Sequence, residues 1–301
     1  MDFWHVWGYD CTMDILTDTL NLAGLKSRLL NQRELKGKSQ LQFPCSRSIG
    51  FHVVLKGEAL IHAKGKKAPI RLQRGDIALM ARGQHHAVST EGPALTIVSG
   101  AYQLWNDPVH PFFAQLPEWY VLTHAAIGLD DGLGQMLDLL ARESAREELG
   151  RERIIQSILD VMFSLIMRRV LAETGAQETN WAHSIQHREI RRALELLHTD
   201  LQRDWGLDDL AKAIGVSRSG LAARFKKLTG DSPMHYLATL RTQKAITLLT
   251  TTDQTVEEIA FEVGHKDSFT FSKAFKKITG LAPREYRRQY ADAPGASFRI
   301  S

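Results

Sequence analysis

The spacing of apolar residues changes character along the chain. From Met13 to Leu30, apolar positions at Ile15, Leu16, Leu20 and Leu22 recur at helical intervals, and Gly24 interrupts them. The pattern predicts a helix over Met13–Leu30 with a break near Gly24; Met13 also reads as an alternative start. From about residue 40 to 103 the runs shorten and alternate, as in "IGFHVVLKGEALIHA", and Gly57, Gly65, Gly75 and Gly83 punctuate them. Short strands separated by glycine turns predict an antiparallel barrel or sandwich. "ALTIVSGAYQL" adds a strand, and the proline-rich "NDPVHPFFAQLPEWYVL" predicts a packed loop leading into a last one.

Between Gly132 and Glu173 the period is helical again. Leu133, Met136, Leu137 and Leu140 form one stripe; Ile154, Ile158, Leu159, Met162, Leu165 and Ile166 form a wider one. A face that wide must be covered, either by the barrel or by a second copy in a homodimer. "AETGAQETNWAH", ending at His183, is small, polar and aperiodic, and reads as a linker. The expected organisation is α+β and multidomain: a β-barrel with flanking helices over 13–173, a linker over 174–183, and an all-α domain over 184–290.

The C-terminal pattern repeats. Leu207, Leu210, Ala211 and Gly215 recur 49 residues later as Val256, Ile259, Ala260 and Gly264. Phe225, Thr229, Gly230, Pro233 and Tyr236 recur 50 residues later as Phe275, Thr279, Gly280, Pro283 and Tyr286. Each copy is a helix, a glycine turn and a second helix, which is a helix-turn-helix. Asp208 and Asp209 fall in an opening turn, where the helix dipole favours acids, and Ser217 is placed to cap the next helix. In "DSFTFSKAF", Phe271 and Phe275 share a face that anchors the helix. Ser268, Phe269, Ser272 and Lys273 are left to face a major groove. Arg218, Ser219, Ala222 and Arg224 are the corresponding positions of the first unit, where Ala222 and Ala223 promise few base contacts. Lys226, Lys227, Lys276 and Lys277 lie past the reading positions.

Charge sharpens this picture. Between His183 and Tyr290 there are 18 Lys and Arg against 13 Asp and Glu, although the whole chain is only +4. The excess favours a polyanion such as double-stranded DNA. The two cysteines, Cys11 and Cys45, are not spaced as a metal or redox pair, and their scarcity points to a reducing, cytoplasmic setting. The longest apolar stretch, Ile158–Met167, is broken by Asp160 and Ser164, so no membrane span is expected.

The blocks "LDDLAKAIGVSRSGLAARFKKLTGDSPMHYL" and "VEEIAFEVGHKDSFTFSKAFKKITGLAPREYRR" together resemble the AraC/XylS family of transcription regulators. "RGDIALMARGQHH", with Gly75, Asp76, Gly83 and His86, resembles the cupin sensor domain of one branch, which often carries cysteine where Ser99 stands. The resemblance implies a sequence-specific DNA-binding regulator governed by a small effector in the cupin domain. His52 and His86 are expected near the effector cavity, and RNA polymerase is a further expected partner. The alternative is a cupin metalloenzyme fused to a DNA-binding module. A catalytic metal needs about three converging ligands, and the barrel supplies His86 with at most His52 and Glu58. The expectation is therefore no catalytic residue, no bound metal and no cofactor.

Overall fold

The computed structural model describes residues 14–22, 26–43, 45, 48–103, 113, 116–128, 131–174, 184 and 187–290. Helix α1 (Ile15–Leu22) is followed by strands β1 (Lys26–Lys36), β2 (Gln40–Phe43), β3 (Ser48–Lys56), β4 (Ala59–Ala63) and β5 (Ile70–Leu72). Then come β6 (Ile77–Met80), β7 (His86–Ser89), β8 (Ala94–Gln103) and β9 (Trp119–Leu122). The expected helix over Met13–Leu30 is thus corrected: it stops at Leu22, and Lys26 onward is strand. The physical reason is tertiary, since β1 pairs antiparallel with β8 from Lys26 to Lys36, and that ladder overrides local helix preference.

All strand pairs are antiparallel. They form a five-stranded sheet in the order β1-β8-β3-β6-β9 and a four-stranded sheet in the order β2-β7-β4-β5. The period-2 rule places alternate residues of β3 on opposite faces. Val54 joins Phe43, Ile61, Leu72, Val88 and Ile97 in the core between the sheets. Ile49, Phe51 and Val53 pack on the other side, in one cluster with the helices α2 (Gly132–Ser144) and α3 (Arg151–Thr174). Both faces of the strand are therefore buried, which is why its apolar run is nearly continuous. Ile158, Leu159, Met162 and Ile166 of α3 are buried within the chain, so the wide apolar face serves mainly to cover the barrel.

The expected linker, 174–183, lies outside the described residues beyond Thr174. After it come α4 (Arg188–Thr199), α5 (Leu207–Ile214), α6 (Arg218–Thr229), α7 (Pro233–Thr251), α8 (Val256–Glu262), α9 (Ser268–Thr279) and α10 (Pro283–Tyr290). Helix α7 joins two helix-turn-helix units, α5–α6 and α8–α9. The first unit's core, with Leu210, Leu221, Phe225 and Tyr236, is continuous with that of α2 and α3. The second unit has its own core around Ile259, Phe271, Phe275 and Tyr286. Helix α1 lies against α4 and α7, with Ile15 and Thr19 buried there, so an N-terminal element packs on the C-terminal helices.

Candidate nucleic-acid interface and barrel interior

The two turns form as the repeat predicts. Gly215 and Gly264 take φ of +75° and +83°, a region that costs glycine little and other residues more. Helix α6 starts at its cap Ser217, whose hydroxyl accepts from Gly220 N at 3.1 Å. Helix α9 starts at Asp267, whose carboxylate accepts from Thr270 N at 2.7 Å and from the Thr270 hydroxyl at 2.8 Å. Those bonds hold the Asp267 carboxyl below its ordinary range, the Thr270 backbone N–H contributing most. Phe271 and Phe275 are both fully buried and seat α9 in its unit.

The opposite face of α9 is open. Phe269 is 79% exposed, Lys273 is exposed, and Ser268 and Ser272 are half-buried beside them. Among the described residues Lys273 makes no ion pair. On α6 the exposed face is Arg218, Ser219, Ala223 and Arg224, with Ala222 half-buried. Both arginines are engaged: Arg218 pairs with Asp208 of α5 at 3.0 Å, and Arg224 pairs with Glu189 of α4. The sequence could not show these pairings. Glu189 lies 35 residues from Arg224, and only the packing of α4 beside α6 joins them. Lys226, Lys227, Lys276 and Lys277 occupy the last turns of α6 and α9, exposed, where the helix dipole favours cations.

In the barrel, His52 and Ser99 are opposite each other on β3 and β8, and His86 lies opposite Phe43 on β7 and β2. Both histidines are buried in the interior of the barrel. Their Nε2 atoms are 2.7 Å apart, His52 Nδ1 is 2.7 Å from Ser99 Oγ, and His86 Nδ1 is 2.8 Å from the Gln84 carbonyl. A carbonyl only accepts, so His86 carries its proton on Nδ1 and offers a lone pair at Nε2. His52 therefore donates from Nε2, and its Nδ1 accepts from the Ser99 hydroxyl. This chain needs both rings neutral. Burial pushes His86 down to about 4 and His52 well below its ordinary value, with the His86 ring adding to the latter shift. Phe43 stacks on His86 at 5.0 Å, and Trp119 meets it edge-on at 5.2 Å while donating to Gln84 Oε1.

The metal centre that a cupin fold implies needs about three converging protein ligands. Among the described residues no three His, Cys, Asp or Glu side chains converge. The two histidines spend their Nε2 atoms on each other, and Glu58 pairs with Arg71. The residues present do not fit a three-ligand centre. Outside the sheets, a cavity of about 340 Å³ is lined by Gln42, His62, Lys64, Lys66, Lys67 and His85, and it reaches His86. Its floor follows the strand register, in which Gln42, Ala87 and His62 stand side by side on β2, β7 and β4.

Both halves of the chain match known families. A cupin family model matches residues 14–172, and a helix-turn-helix domain model matches residues 210–289. An AraC-like transcription regulator of Streptomyces lividans is 25% identical over 92% of this chain and 98% of its own length. The transcriptional regulator AlkR of Acinetobacter baylyi is 25% identical over 79% of this chain and 87% of its own. Among solved structures, the C-terminal domain of AraT from Geobacillus stearothermophilus is 31% identical over 38% of this chain and 96% of its own, with a TM-score of 0.34. No helix among the described residues is long and apolar enough to cross a membrane. The chain belongs to the AraC family of transcription regulators and carries an N-terminal cupin domain.

Proposed function

We propose that this regulator reads two successive major-groove segments of double-stranded DNA with α6 and α9, and that α9 supplies most of the sequence choice. The observation that carries this is the unequal availability of the two faces. Ser268, Phe269, Ser272 and Lys273 present two hydroxyls, an aromatic edge and a cation with no ion pair among the described residues, which suit base edges and thymine methyls. Arg218 and Arg224, each on a carboxylate, suit phosphates, with Ser219 and Ala222 allowing close approach. The unit boundaries in this reading are 13–173, 174–183 and 184–290.

The barrel is the sensor in this reading, with a small effector held against His52 and His86. A buried polar chain inside an apolar barrel is costly unless fully satisfied, so displacing one partner propagates along it. Homodimerisation runs along the outer edge of α3, where Ile154 and Val161 stay exposed beside Ser157 and Ser164 at coiled-coil spacing. RNA polymerase is the expected partner at a promoter, the cytoplasm the expected site of action, and no catalytic step is assigned. Selection of bound duplexes from a randomised library tests the DNA reading. Enrichment of two half-sites about one helical turn apart is expected; enrichment of none, or of one only, would overturn it. A thermal-shift screen across carboxylates, phosphates and divalent metals tests the sensor, and a flat melting curve throughout would leave the barrel as a dimerisation module.

A further inference from the structure

One loop of the first unit, residues 200–206 between α4 and α5, is gripped from three directions by the rest of the C-terminal domain. Arg241, half-buried in the middle of α7, donates from Nε to the Leu201 carbonyl at 2.8 Å and from Nη2 to the Arg203 carbonyl at 2.8 Å. A guanidinium holding two carbonyls in a fork fixes orientation as well as distance. The turn of the second unit closes on the same loop. A Cβ added to Gly264 would stand 2.6 Å from Leu201 O, 2.8 Å from Arg241 Nη2 and 2.8 Å from Gln202 Cα. Two residues on, Lys266 Nζ lies 2.9 Å from Asp204 Oδ2.

The equivalent glycine of the first unit shows what is special here. Gly215 has the same left-handed backbone, yet among the described residues a Cβ there would meet nothing within 4 Å. Gly215 is required for its φ alone, whereas Gly264 is required for its φ and for contact between the units. A related arginine grip exists in the second unit, where Arg287 donates to the Leu249 carbonyl at 3.1 Å and the Gln254 carbonyl at 2.6 Å. That grip ties α10 to the C-terminal end of α7 and to the loop before α8, and it touches nothing of the first unit.

We propose that Arg241 is a positioning residue: with Gly264 and Lys266 it locks the second helix-turn-helix against the first and sets the spacing at which the two reading helices meet DNA. A single connecting helix fixes one axis but leaves its two ends free to bend and rotate. The lock ties the first unit's loop to the middle of α7 and to the second unit's turn at once. Successive major-groove segments on one face recur only every 10–10.5 base pairs, or about 34 Å, so a small error in phase forfeits one of the two contacts.

The inference rests on the two-segment reading above, and the test separates the two. The full chain and its variants are each selected on randomised duplexes, and the spacing between the enriched half-sites is read by sequencing. The wild type is expected to give one dominant spacing. Arg241→Ala should enrich the same half-sites over a spread of spacings. Its affinity for the wild-type duplex should fall roughly tenfold or more, while binding to an isolated half-site should change less than about threefold, as expected when two linked contacts lose their effective concentration. Lys266→Glu, an exposed change that spares the core, should shift the spacing in the same way and serves if Arg241→Ala does not fold. Arg287→Ala is the control: it loosens the second unit and should leave the spacing unchanged. A single unchanged spacing in both Arg241→Ala and Lys266→Glu would overturn the lock, as would an equal spread in Arg287→Ala. A wild type that enriches only one half-site would overturn the two-segment reading and the lock with it.

Discussion

The two helix-turn-helix units share a spacing and a turn, but they differ in how their polar faces are used and how their cores are joined. In the first unit, α6 places both arginines on carboxylates and fills the space between with small side chains. In the second, α9 leaves Lys273 unpaired among the described residues and Phe269 almost bare. The first unit's core runs on into the helices that cover the barrel, while the second unit's core is separate. The repeat has thus been divided: the first unit shares a core with the helices over the barrel and has both arginines of its exposed face paired, while the second keeps a separate core and meets the first through polar and backbone contacts at residues 200–206. A duplicated fold does not imply duplicated energetics.

The largest expected effect tests that division of cores. Phe225 and Phe275 are equivalent and both fully buried, so Phe225→Ala and Phe275→Ala should each cost roughly 3–5 kcal/mol. Their consequences should differ. Phe275→Ala should split off an early calorimetric transition that belongs to the second unit alone, whereas Phe225→Ala should lower the main transition. A single shared transition in both variants would mean that the two cores are not separable.

The sequence made one half of this comparison legible and hid the other. The repeat, the positive-φ glycines, the Ser217 cap and the buried Phe271 and Phe275 all follow from local spacing, which chemistry within a turn or two dictates. The pairing of Arg224 with Glu189, the grip of Arg241 on Leu201 and Arg203, and the packing of α1 on α4 and α7 depend on chain segments tens of residues or more apart, and no periodicity encodes them. The same limit explains β1: Leu29 and Leu30 fit a helix locally, and only β8 makes them strand. In the barrel, Gly75, Asp76 and Gly83 announced turns. That His52 and His86 bond to each other depends on which strands oppose across the barrel.

Acid should separate the units next. His198 is enclosed in the first unit, its Nε2 2.9 Å from the Tyr236 hydroxyl, and burial pushes it down to about 4. An unfolded histidine titrates near 6.5, so the unfolded chain takes up the proton first. The stability associated with neutral His198 is therefore intact above about pH 6.5 and lost as pH falls toward 4, by on the order of 3 kcal/mol in total. In the second unit Tyr286 has ring contacts with Phe275 and Tyr290, and the histidine there, His265, is only half-buried, with desolvation lowering it. Denaturant titrations at pH 7 and pH 4.5 should show a larger loss in the first unit than in the second, with buried His52 and His86 adding a loss of their own in the barrel, and His198→Leu should reduce the first unit's share. Equal losses in wild type and His198→Leu would refute the assignment.

DNA binding sharpens the contrast between faces. Lys273→Ala should cost on the order of 1–3 kcal/mol on cognate duplex and less on scrambled duplex if the ammonium reads a guanine edge. If it meets only phosphate, both duplexes weaken alike and the salt slope falls by about one. Arg218→Ala should show the second behaviour, with a smaller loss, because the arginine must first leave Asp208. Titrations of both variants at several salt concentrations decide the matter. A larger sequence-specific loss in Arg218→Ala than in Lys273→Ala would reverse the roles assigned to α6 and α9.

The smallest expected difference lies at the entry of each unit's first helix. Thr255 opens α8 with a reciprocal capping box: its hydroxyl accepts from Glu258 N at 3.2 Å, and the Glu258 carboxylate accepts from Thr255 N at 2.6 Å. Those bonds hold the Glu258 carboxyl below its ordinary range, the Thr255 backbone N–H contributing most. Helix α5 opens at Gly206 with no side-chain cap, and only Asp208 and Asp209 answer its dipole. Thr255→Ala should therefore cost about 1 kcal/mol in the second unit. Gly206→Ser supplies the missing hydroxyl at an extended φ of −92°, and glycine is only a few tenths of a kcal/mol worse than serine at this position, so the gain should be about that size. The new Cβ would stand 3.0 Å from the Asp209 carboxylate, a mobile side-chain end on the surface that can move aside. Chemical denaturation followed by helix signal measures both changes. A loss in Gly206→Ser as large as that in Thr255→Ala would mean that the glycine serves the loop gripped by Arg241 rather than the helix it precedes.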